Sequence, residues 1–100
     1  MAHVEIAPEV LDDFDRILEY QVQHKVGDGA ARVMDILHAI DALAHNPLIG
    51  RPVSNGKREL VIGRQARGFL ALYHYVDEID TVFVLAVRSQ REAGYVRTEY

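Results

Sequence analysis

The 100-residue sequence has no cysteine, so it cannot form a disulfide framework, offer a thiolate nucleophile or build a cysteine-based zinc site. No apolar run approaches the roughly 18 to 20 residues that a membrane-spanning helix requires. The first residues also lack the basic flank and the apolar core of a secretory signal. These absences predict a cytoplasmic protein that folds without disulfides and has no membrane span.

Motifs of common enzyme classes are also missing. Neither Ser54 nor Ser89 lies in a G-x-S-x-G sequence, which argues against serine hydrolase chemistry. No glycine-rich phosphate loop of the Walker or Rossmann type is present, and the acidic residues form no obvious pair for glycoside hydrolysis. The sequence therefore predicts that the chain binds no cofactor.

Histidine is the remaining candidate for metal binding or acid–base chemistry. His38 and His45 are predicted on one helix face near Asp35 and Asp41, a set that could present two imidazoles and a carboxylate to a metal. None of the zinc patterns with short, fixed ligand spacing is present, so we interpret this face as solvated surface and predict no metal site. His74 lies in an apolar strand; a partly buried residue bonded to a neighbour is the simpler interpretation, and a general base is the alternative.

The formal net charge of −4 hides an asymmetry between the two halves of the chain. Residues 1–50 carry nine acids and three bases, whereas residues 51–100 carry eight bases and six acids. Arginine, the main base of the second half, binds carboxylate or phosphate through two parallel hydrogen bonds. These arginines are either solvated surface charges or an anion site for phosphate or a carboxylate-rich partner. Arg58, Arg88 and Arg91 converge only if the first and last strands of the later sheet bring those ends together.

Hydrophobic periodicity predicts a short strand over residues 3–7 and then two helices. The first helix is amphipathic, about four turns long, and ends before Gly27. Asp28 is a candidate cap for the second helix, which Asn46-Pro47 ends. Because the linker between them is so short, the two helices are expected to form an antiparallel hairpin.

After an ordered loop over residues 46–57, the period changes to that of strands. The predicted strands span residues 58–62, 69–76 and 81–87, and a hairpin loop at 77–80 joins the last two. The predicted fold class is α+β, in which an N-terminal strand and an antiparallel helical hairpin pack on a small antiparallel β-sheet.

The two long strands are apolar on both faces, so both faces need a cover. The helical hairpin covers one face, and a partner is the candidate cover for the other. Residues 92–100 have no core-forming pattern and are predicted to be a docked or disordered tail. We expect a single domain over residues 1–100.

Five segments occur in order along the chain: A-P-E-V-L-D-D-F-D-R-I-L-E-Y (7–20), N-P-L-I-G-R-P-V (46–53), R-E-L-V-I-G (58–63), G-F-L-A-L-Y-H-Y-V (68–76) and V-F-V-L-A-V-R-S-Q-R-E-A-G-Y (82–95). This series resembles the RelE/ParE superfamily of type II toxin–antitoxin toxins over nearly the whole chain. The resemblance implies a small α/β toxin that inhibits growth, with a role in plasmid stabilisation. It also implies a cognate ParD- or RelB-like antitoxin, which docks an amphipathic helix and an extended segment on a hydrophobic groove of the toxin.

The superfamily has two branches with different targets. RelE-like members cleave mRNA in the ribosome with basic residues and a tyrosine, whereas ParE-like members poison DNA gyrase. RelE-like enzymes carry an arginine after their G-[FY] pair, where this chain has Leu70, and leucine cannot bind phosphate. The long hairpin, the P-x-x-G-R turn and Arg58 are similar to ParE-like members. The resemblance therefore favours a non-enzymatic gyrase poison; a ribosome-dependent mRNA endonuclease and an inactive, partner-binding homologue are the alternatives.

No catalytic residue is assigned, but the candidates for an endonuclease are Arg88, Arg91 and Tyr95, which match the C-terminal region where RelE-like members keep an arginine and a tyrosine. The residues expected to bind the target or the antitoxin are Arg58, Arg64, Arg67, Tyr73, Arg88 and Arg91.

Overall fold

The computed structural model describes residues 1–25, 27–63 and 68–97. Its helices and strands are β1 (His3–Ile6), α1 (Glu9–His24), α2 (Gly29–Asp41), β2 (Arg51–Pro52), β3 (Arg58–Ile62), β4 (Phe69–Val76) and β5 (Thr81–Ser89). Short 3-10 turns follow α2 and join β4 to β5. No helix within the described ranges is long and apolar enough to cross a membrane.

The predicted helical hairpin is confirmed. α1 ends at Lys25, which takes the left-handed conformation that often terminates a helix. Asp28 then caps α2 as predicted, because its side chain accepts a hydrogen bond of 3.3 Å from the backbone N–H of Ala31. The two helices pack against each other, and α1 also packs against β5.

All five strands form one sheet in the order β1-β5-β4-β3-β2. Three neighbouring pairs are antiparallel, whereas β1 pairs parallel with β5. The predicted α+β fold class is confirmed. The sheet is mixed rather than purely antiparallel, because the N-terminal strand β1 runs parallel to its neighbour β5, which the chain reaches only after both helices and the other strands. The two-residue β2 lies in the predicted loop and was not predicted as a strand, since it exists only through its pairing with β3.

The helices cover one face of the sheet. The buried side chains between them include Val10, Phe14, Ile17, Ile36, Ile40, Leu43, Phe69, Tyr73, Val82, Val84 and Val87. Each large apolar side chain buried in this way contributes about 1.5 to 3 kcal/mol relative to full exposure. This core fixes the sheet register, and the register decides which side chains meet on the other face.

The face opposite the helices, which we call the tail face, corrects one prediction. Leu70, Leu72 and Ala86 point away from the helix-side core, yet they are only 3%, 5% and 1% exposed in the isolated chain. We expected a partner to cover these positions. The chain covers them itself, because residues after β5 fold back across the strands, as described next.

Candidate functional site

The sheet register brings a charged group and an apolar group together on the tail face. Two rows of side chains cross β3, β4 and β5: Glu59, Leu72 and Ala86 in one, and Val61, Leu70 and Arg88 in the next. Residues directly opposite each other in an antiparallel pair share a face. The hydroxyl of Tyr95 donates to Glu59 Oε2 at 2.6 Å, and its ring centroid lies 5.1 Å from the guanidinium carbon of Arg88. The Tyr95 side chain therefore lies across β4, with its ring beside Arg88 in one row and its hydroxyl bound to Glu59 in the other.

Glu59 is the buried acid of this site, with 7% of its surface exposed. Its Oε1 accepts hydrogen bonds from Arg51, one of them from Nε at 3.0 Å, while its Oε2 accepts from Tyr95. Burial alone would raise the pKa of Glu59, but these hydrogen bonds outweigh it and hold the pKa below its usual value. Glu59 is therefore an ionised carboxylate that is fully engaged.

Tyr95 is held in the complementary state. Burial, and then the hydrogen bond and the negative charge of Glu59, raise the pKa of the Tyr95 phenol well above its usual value. The phenol therefore keeps its proton and donates a hydrogen bond to the carboxylate of Glu59. A tyrosine in this state cannot act as a general base.

Arg88 is anchored mainly by backbone. Its Nη1 donates to the carbonyl oxygens of Ser89 at 3.3 Å and Glu92 at 2.6 Å. Its Nε is buried and has no hydrogen-bond partner among the described residues. These bonds hold the chain after β5 in a turn, which directs Tyr95 back over the sheet.

β1 pairs with only the first part of β5. Beyond that part, side chains form hydrogen bonds with the backbone at the outer edge of β5. A bulge at Leu85, between the Val84–Tyr73 and Ala86–Leu72 pairs, changes which backbone groups point outward. The bonds at this edge join Leu85 O to Arg97 Nη2 (3.0 Å), Val87 N to Asp13 Oδ2 (3.0 Å), Val87 O to Arg16 Nη2 (3.2 Å) and Ser89 N to Glu92 Oε2 (2.8 Å). Side chains from α1 and from the tail thus take the place of a neighbouring strand.

Asp13 is the centre of this edge network and is only 1% exposed. It pairs with Arg16 at 2.8 Å and with Arg97 at 2.7 Å. Burial would raise the pKa of Asp13, but the hydrogen bonds from Arg97, Arg16 and the backbone of Val87 outweigh it and lower the pKa below its usual value. Arg16 also pairs with Glu92 at 2.6 Å, so residues of the tail up to Arg97 are tied to α1.

Arg91 lies apart from Arg88 and Tyr95. Its Nη1 donates to the hydroxyl of Tyr20 on α1 at 2.6 Å, and its guanidinium lies 5.2 Å from the Tyr20 ring centroid. The ring of His24 also stacks on the Tyr20 ring, with their centroids 4.0 Å apart. Arg91 and Tyr20 line a cleft of about 690 Å³ between the helices and the end of β5.

Arg58, Arg88 and Arg91 were expected to converge only if the first and last strands of the later sheet brought those ends together, and the strand order does not do so. Arg58 lies opposite Tyr73 at the start of β3, whereas Arg88 lies opposite Leu70 near the end of β5. Because β3 and β5 run in the same direction with β4 between them, these positions lie towards opposite ends of the sheet, and they occupy opposite faces. Arg58 instead donates to the backbone carbonyls of the loop after α2.

Tyr73, which we expected to bind a partner, has no exposed surface. Its hydroxyl donates to the carbonyl of Pro47 and accepts from the N–H of Gly50, both at 2.8 Å. The role of Tyr73 is therefore structural, and its prediction as a binding residue is corrected. Arg64 and Arg67, as well as residues 98–100 of the predicted tail, lie outside the described residues.

The histidines give no metal site within the described ranges, where no three His, Cys, Asp or Glu side chains cluster to hold an ion. His38 and His45 are both exposed, but they do not share a helix face as predicted, because α2 ends at Asp41 and His45 follows the 3-10 turn after it. His74 is partly buried, and its Nδ1 lies 3.2 Å from the carbonyl oxygen of Gly56. This is the simpler of its two interpretations.

Asp13 and Glu59 are the site residues that the sequence interpretation missed. The first helix was predicted only as amphipathic, and Asp13 was not singled out among its acids, although it lies three residues after Val10 and four before Ile17, both of which are core residues. That spacing is the signal that would have found it. Glu59 gave a weaker signal, as an acid in a short strand that continues with the apolar residues Leu60 to Ile62.

Comparison with known proteins identifies the family. A family model described as "ParE toxin of type II toxin-antitoxin system, parDE" matches residues 4–94. No curated protein matches the chain.

Solved toxin–antitoxin structures share the fold. The chromosomal ParDE system of P. aeruginosa matches with a TM-score of 0.70 and 22% identity, covering 89% of this chain and 96% of that one. The RelBE2 complex of Mycobacterium tuberculosis has a TM-score of 0.63 and 20% identity, covering 89% of this chain and 98% of that one. The E. coli RelBE complex has a TM-score of 0.61 and 13% identity, covering 92% of this chain and 100% of that one. Because the family model spans nearly the whole sequence, the chain belongs to the ParE toxin family, within the RelE/ParE superfamily of type II toxin–antitoxin toxins.

Proposed function

We propose that this toxin acts by binding and poisoning DNA gyrase rather than by cleaving RNA, and that a cognate antitoxin neutralises it in the cytoplasm. The observation that carries the proposal is the state of Tyr95, whose protonated hydroxyl is bound to the ionised Glu59. An endonuclease of this superfamily would need that tyrosine free to reach its substrate.

The residues around Tyr95 also support a toxin that does not cleave RNA. Leu70, at the position where the resemblance implies a catalytic arginine, is buried beside Arg88 and offers no positive charge to a phosphate. Arg88 donates to backbone carbonyls, and Arg91 donates to Tyr20 on α1. The three candidate catalytic residues are thus committed to contacts within the chain.

The partner is proposed to be a ParD- or RelB-like antitoxin with an amphipathic helix and an extended segment. Its support is the likeness of the fold to toxin subunits solved in ParDE and RelBE complexes. The cleft beside Tyr20 and Arg91, with apolar walls from Ile17 and Phe69, offers a groove for such a helix.

The test is a gyrase supercoiling assay with the purified chain. We expect stoichiometric toxin to inhibit supercoiling and to accumulate cleaved DNA, and we expect Tyr95→Phe to do the same, because no proton transfer from Tyr95 is required. Unchanged supercoiling in molar excess of the toxin would contradict the proposal.

The second candidate is a ribosome-dependent mRNA endonuclease, which the 5.1 Å approach of Arg88 to Tyr95 favours. It predicts new 5′ ends within translated messages after induction of the chain alone. Arg91→Ala and Tyr95→Phe would abolish those ends. Growth arrest with intact messages would eliminate this candidate.

A further inference from the structure

The turn between β2 and β3, which we call the hairpin tip (residues 53–57), carries the dipeptide Asn55-Gly56. The backbone nitrogen of the residue after an asparagine can attack the side-chain amide and close a five-membered succinimide ring. The chain has two asparagines, Asn46 and Asn55. Pro47 has no N–H to lose and cannot attack Asn46 in this way, whereas Gly56 has an N–H and no side chain to hinder its approach. Asn55 is therefore the asparagine at which this chemistry can occur.

The surroundings of Asn55 leave the reacting groups accessible. Both Asn55 and Gly56 are exposed, and a Cβ placed on Gly56 would meet nothing within 4 Å. The related dipeptide Asp28-Gly29 is crowded by comparison, because a Cβ on Gly29 would lie 2.8 Å from Leu18 Cδ2 and the Asp28 side chain caps α2. Of the two dipeptides, the one at the hairpin tip is thus the more open to water and base.

The backbone conformation at Asn55 holds the reaction back. Asn55 (φ 62°, ψ 36°) and Gly56 (φ 71°) both have left-handed φ angles, the pattern of the type I′ turn that Asn-Gly favours. At this ψ the Gly56 nitrogen lies nearly opposite the Cβ of Asn55 about the Cα–C bond, so the ring cannot close. The tip must open first, and the rate of the reaction depends on how often it opens.

The hairpin tip can open without disturbing the core. β2 lies at the edge of the sheet and pairs with β3 through two residues only, and no side chain of residues 53–57 is buried. Backbone hydrogen bonds close the tip from Val53 N to Lys57 O (2.9 Å) and from Lys57 N to Ser54 O (3.3 Å). A segment held by a few exposed hydrogen bonds opens locally, at a free energy well below that of global unfolding.

We propose that Asn55 is a site of spontaneous deamidation in the folded toxin, reached by local opening of the hairpin tip. The deprotonated nitrogen of Gly56 attacks Cγ of Asn55 and forms a C–N bond. The bond between Cγ and Nδ2 breaks, and ammonia leaves after Nδ2 takes a proton from solvent in place of the one that Gly56 lost. Water then adds to one of the two succinimide carbonyls and opens the ring to aspartate or isoaspartate. Water is the only co-reactant.

The products differ from the unmodified tip in charge and in backbone length. Either product adds a carboxylate next to Lys57, whose Nζ lies 3.2 Å from Asn55 O. Isoaspartate also adds one carbon to the main chain, which a turn of two left-handed residues cannot accommodate unchanged. We expect isoaspartate to separate Gly56 O from His74 Nδ1, which lie 3.2 Å apart, and to loosen the pairing of β2 with β3.

The test is incubation of the folded chain at mildly alkaline pH, where the Gly56 nitrogen is deprotonated more often. Peptide mass spectrometry locates the conversion, and ion exchange separates the more acidic product. We expect conversion at Asn55 and none at Asn46, which is the control within the same chain. Asn55→Gln is the matched variant; its longer side chain would have to close a six-membered ring, so we expect the glutamine to stay unconverted.

The chain unfolded in urea at the same pH gives the reaction time to be compared. A folded chain in which Asn55 stays unconverted over the time that converts the unfolded chain would overturn the proposal. Equal conversion at Asn46, or equal conversion of the Asn55→Gln variant, would overturn it as well.

A second variant separates local opening from global unfolding. Ile36→Val removes one methyl group from a side chain with no exposed surface, which multiplies the unfolded population about fivefold. If Asn55 reacted only in the unfolded chain, its conversion rate would rise by the same factor. We expect an unchanged rate, because opening of the tip leaves the core packed. A rate that rises with the unfolded population would overturn local opening.

Discussion

At the residue scale, Glu59 and Tyr95 show how two neighbouring ionisable groups hold each other in fixed protonation states, one ionised and one neutral. Arg51 neutralises one oxygen of Glu59 and the Tyr95 phenol donates to the other. A buried carboxylate is tolerated here because both of its oxygens accept hydrogen bonds and Arg51 supplies a positive charge. The same contacts that secure Glu59 remove Tyr95 from acid–base chemistry.

Glu59→Gln tests this reciprocity. The negative charge of Glu59 raises the pKa of Tyr95, so its removal is expected to move the Tyr95 titration towards lower pH. Burial remains, so the pKa stays above the usual value of about 10. Ultraviolet titration of tyrosine ionisation measures this shift, with Tyr95→Phe as the control that identifies the signal. Identical titration curves for Glu59→Gln and the wild type would contradict the assignment.

Gly50→Ala tests the packing of one backbone position against one ring. The added methyl group would lie 2.6 Å from Tyr73, which has no exposed surface and little room to move. We expect a loss of about 2 kcal/mol in the free energy of unfolding, the usual cost of overpacking a core. The matched control is Gly94→Ala, where a Cβ meets nothing within 4 Å. Chemical denaturation gives both values, and an equal stability of the two variants would refute the argument.

At the scale of elements, β5 shows how an incomplete neighbour is replaced. β1 pairs only with residues 81–84, so the following residues of β5 have an open side. Open strand edges invite pairing with other chains. Asp13, Arg16, Glu92 and Arg97 satisfy this edge with charged side chains. The edge of β5 is therefore blocked against further strand addition.

Asp13→Asn tests the edge through its dependence on pH. The pKa of Asp13 is lower in the folded chain than its ordinary value, so its stabilisation is complete above that ordinary value and is lost as the pH falls through the folded value. Asp13→Asn is expected to cost about 2 to 3 kcal/mol at pH 7, because the buried position loses its negative charge and both Arg16 and Arg97 lose one ion pair.

The difference in stability between Asp13→Asn and the wild type is expected to narrow as the pH falls below the ordinary aspartate pKa of about 4, because the unfolded wild-type chain then binds a proton at Asp13 before the folded chain does. Urea unfolding at a series of pH values measures the gap. Asp35→Asn is the control, since Asp35 lies in an exposed pair with Arg32 on α2 and is expected to change stability by less than about 0.5 kcal/mol. A stability difference that stays constant with pH would show that the pKa of Asp13 is the same in the folded and the unfolded chain.

At the scale of the whole molecule, the acidic and basic halves of the sequence meet. Asp13 and Arg16 on α1 pair with Arg97 and Glu92 of the tail. These contacts and Tyr95 draw residues after β5 across the sheet, over apolar positions such as Leu72. The tail thus lies over part of the sheet and also forms ion pairs with α1.

The triple variant Glu92→Ala/Tyr95→Ala/Arg97→Ala tests the tail as a cover. With its three anchors removed, we expect Leu70, Leu72 and Ala86 to become accessible. Binding of a hydrophobic dye is then expected to increase, and the melting temperature to fall by at least about 5 °C, the shift that a loss of about 1 kcal/mol produces in a chain of this size. A triple variant that melts with the wild type and binds no dye would show that the tail is not a cover.

Much of the fold could be predicted from local patterns. The apolar spacing of Phe14, Ile17 and their neighbours predicted α1, and Asp28 marked the start of α2. The bounds of β3 and β4 agree with the predicted strands because β-branched and aromatic residues alternate with turn signals there. The strand β2 was not predicted, and for the tail the sequence left open whether it is docked or disordered, since neither has a pattern of its own and each depends on contacts with β3 or β5.

The sequence by itself determined the elements, their order and the family, because periodicity, capping and turn chemistry act over a few neighbouring residues. Only the tertiary structure decided which charges meet. Arg97 bonds to Asp13, 84 residues away, and Arg58 bonds to the carbonyl oxygens of Leu48 and Gly50 instead of approaching Arg88. Such pairs follow from strand order and register, which are set when the whole core packs, and no local stretch of sequence contains that information.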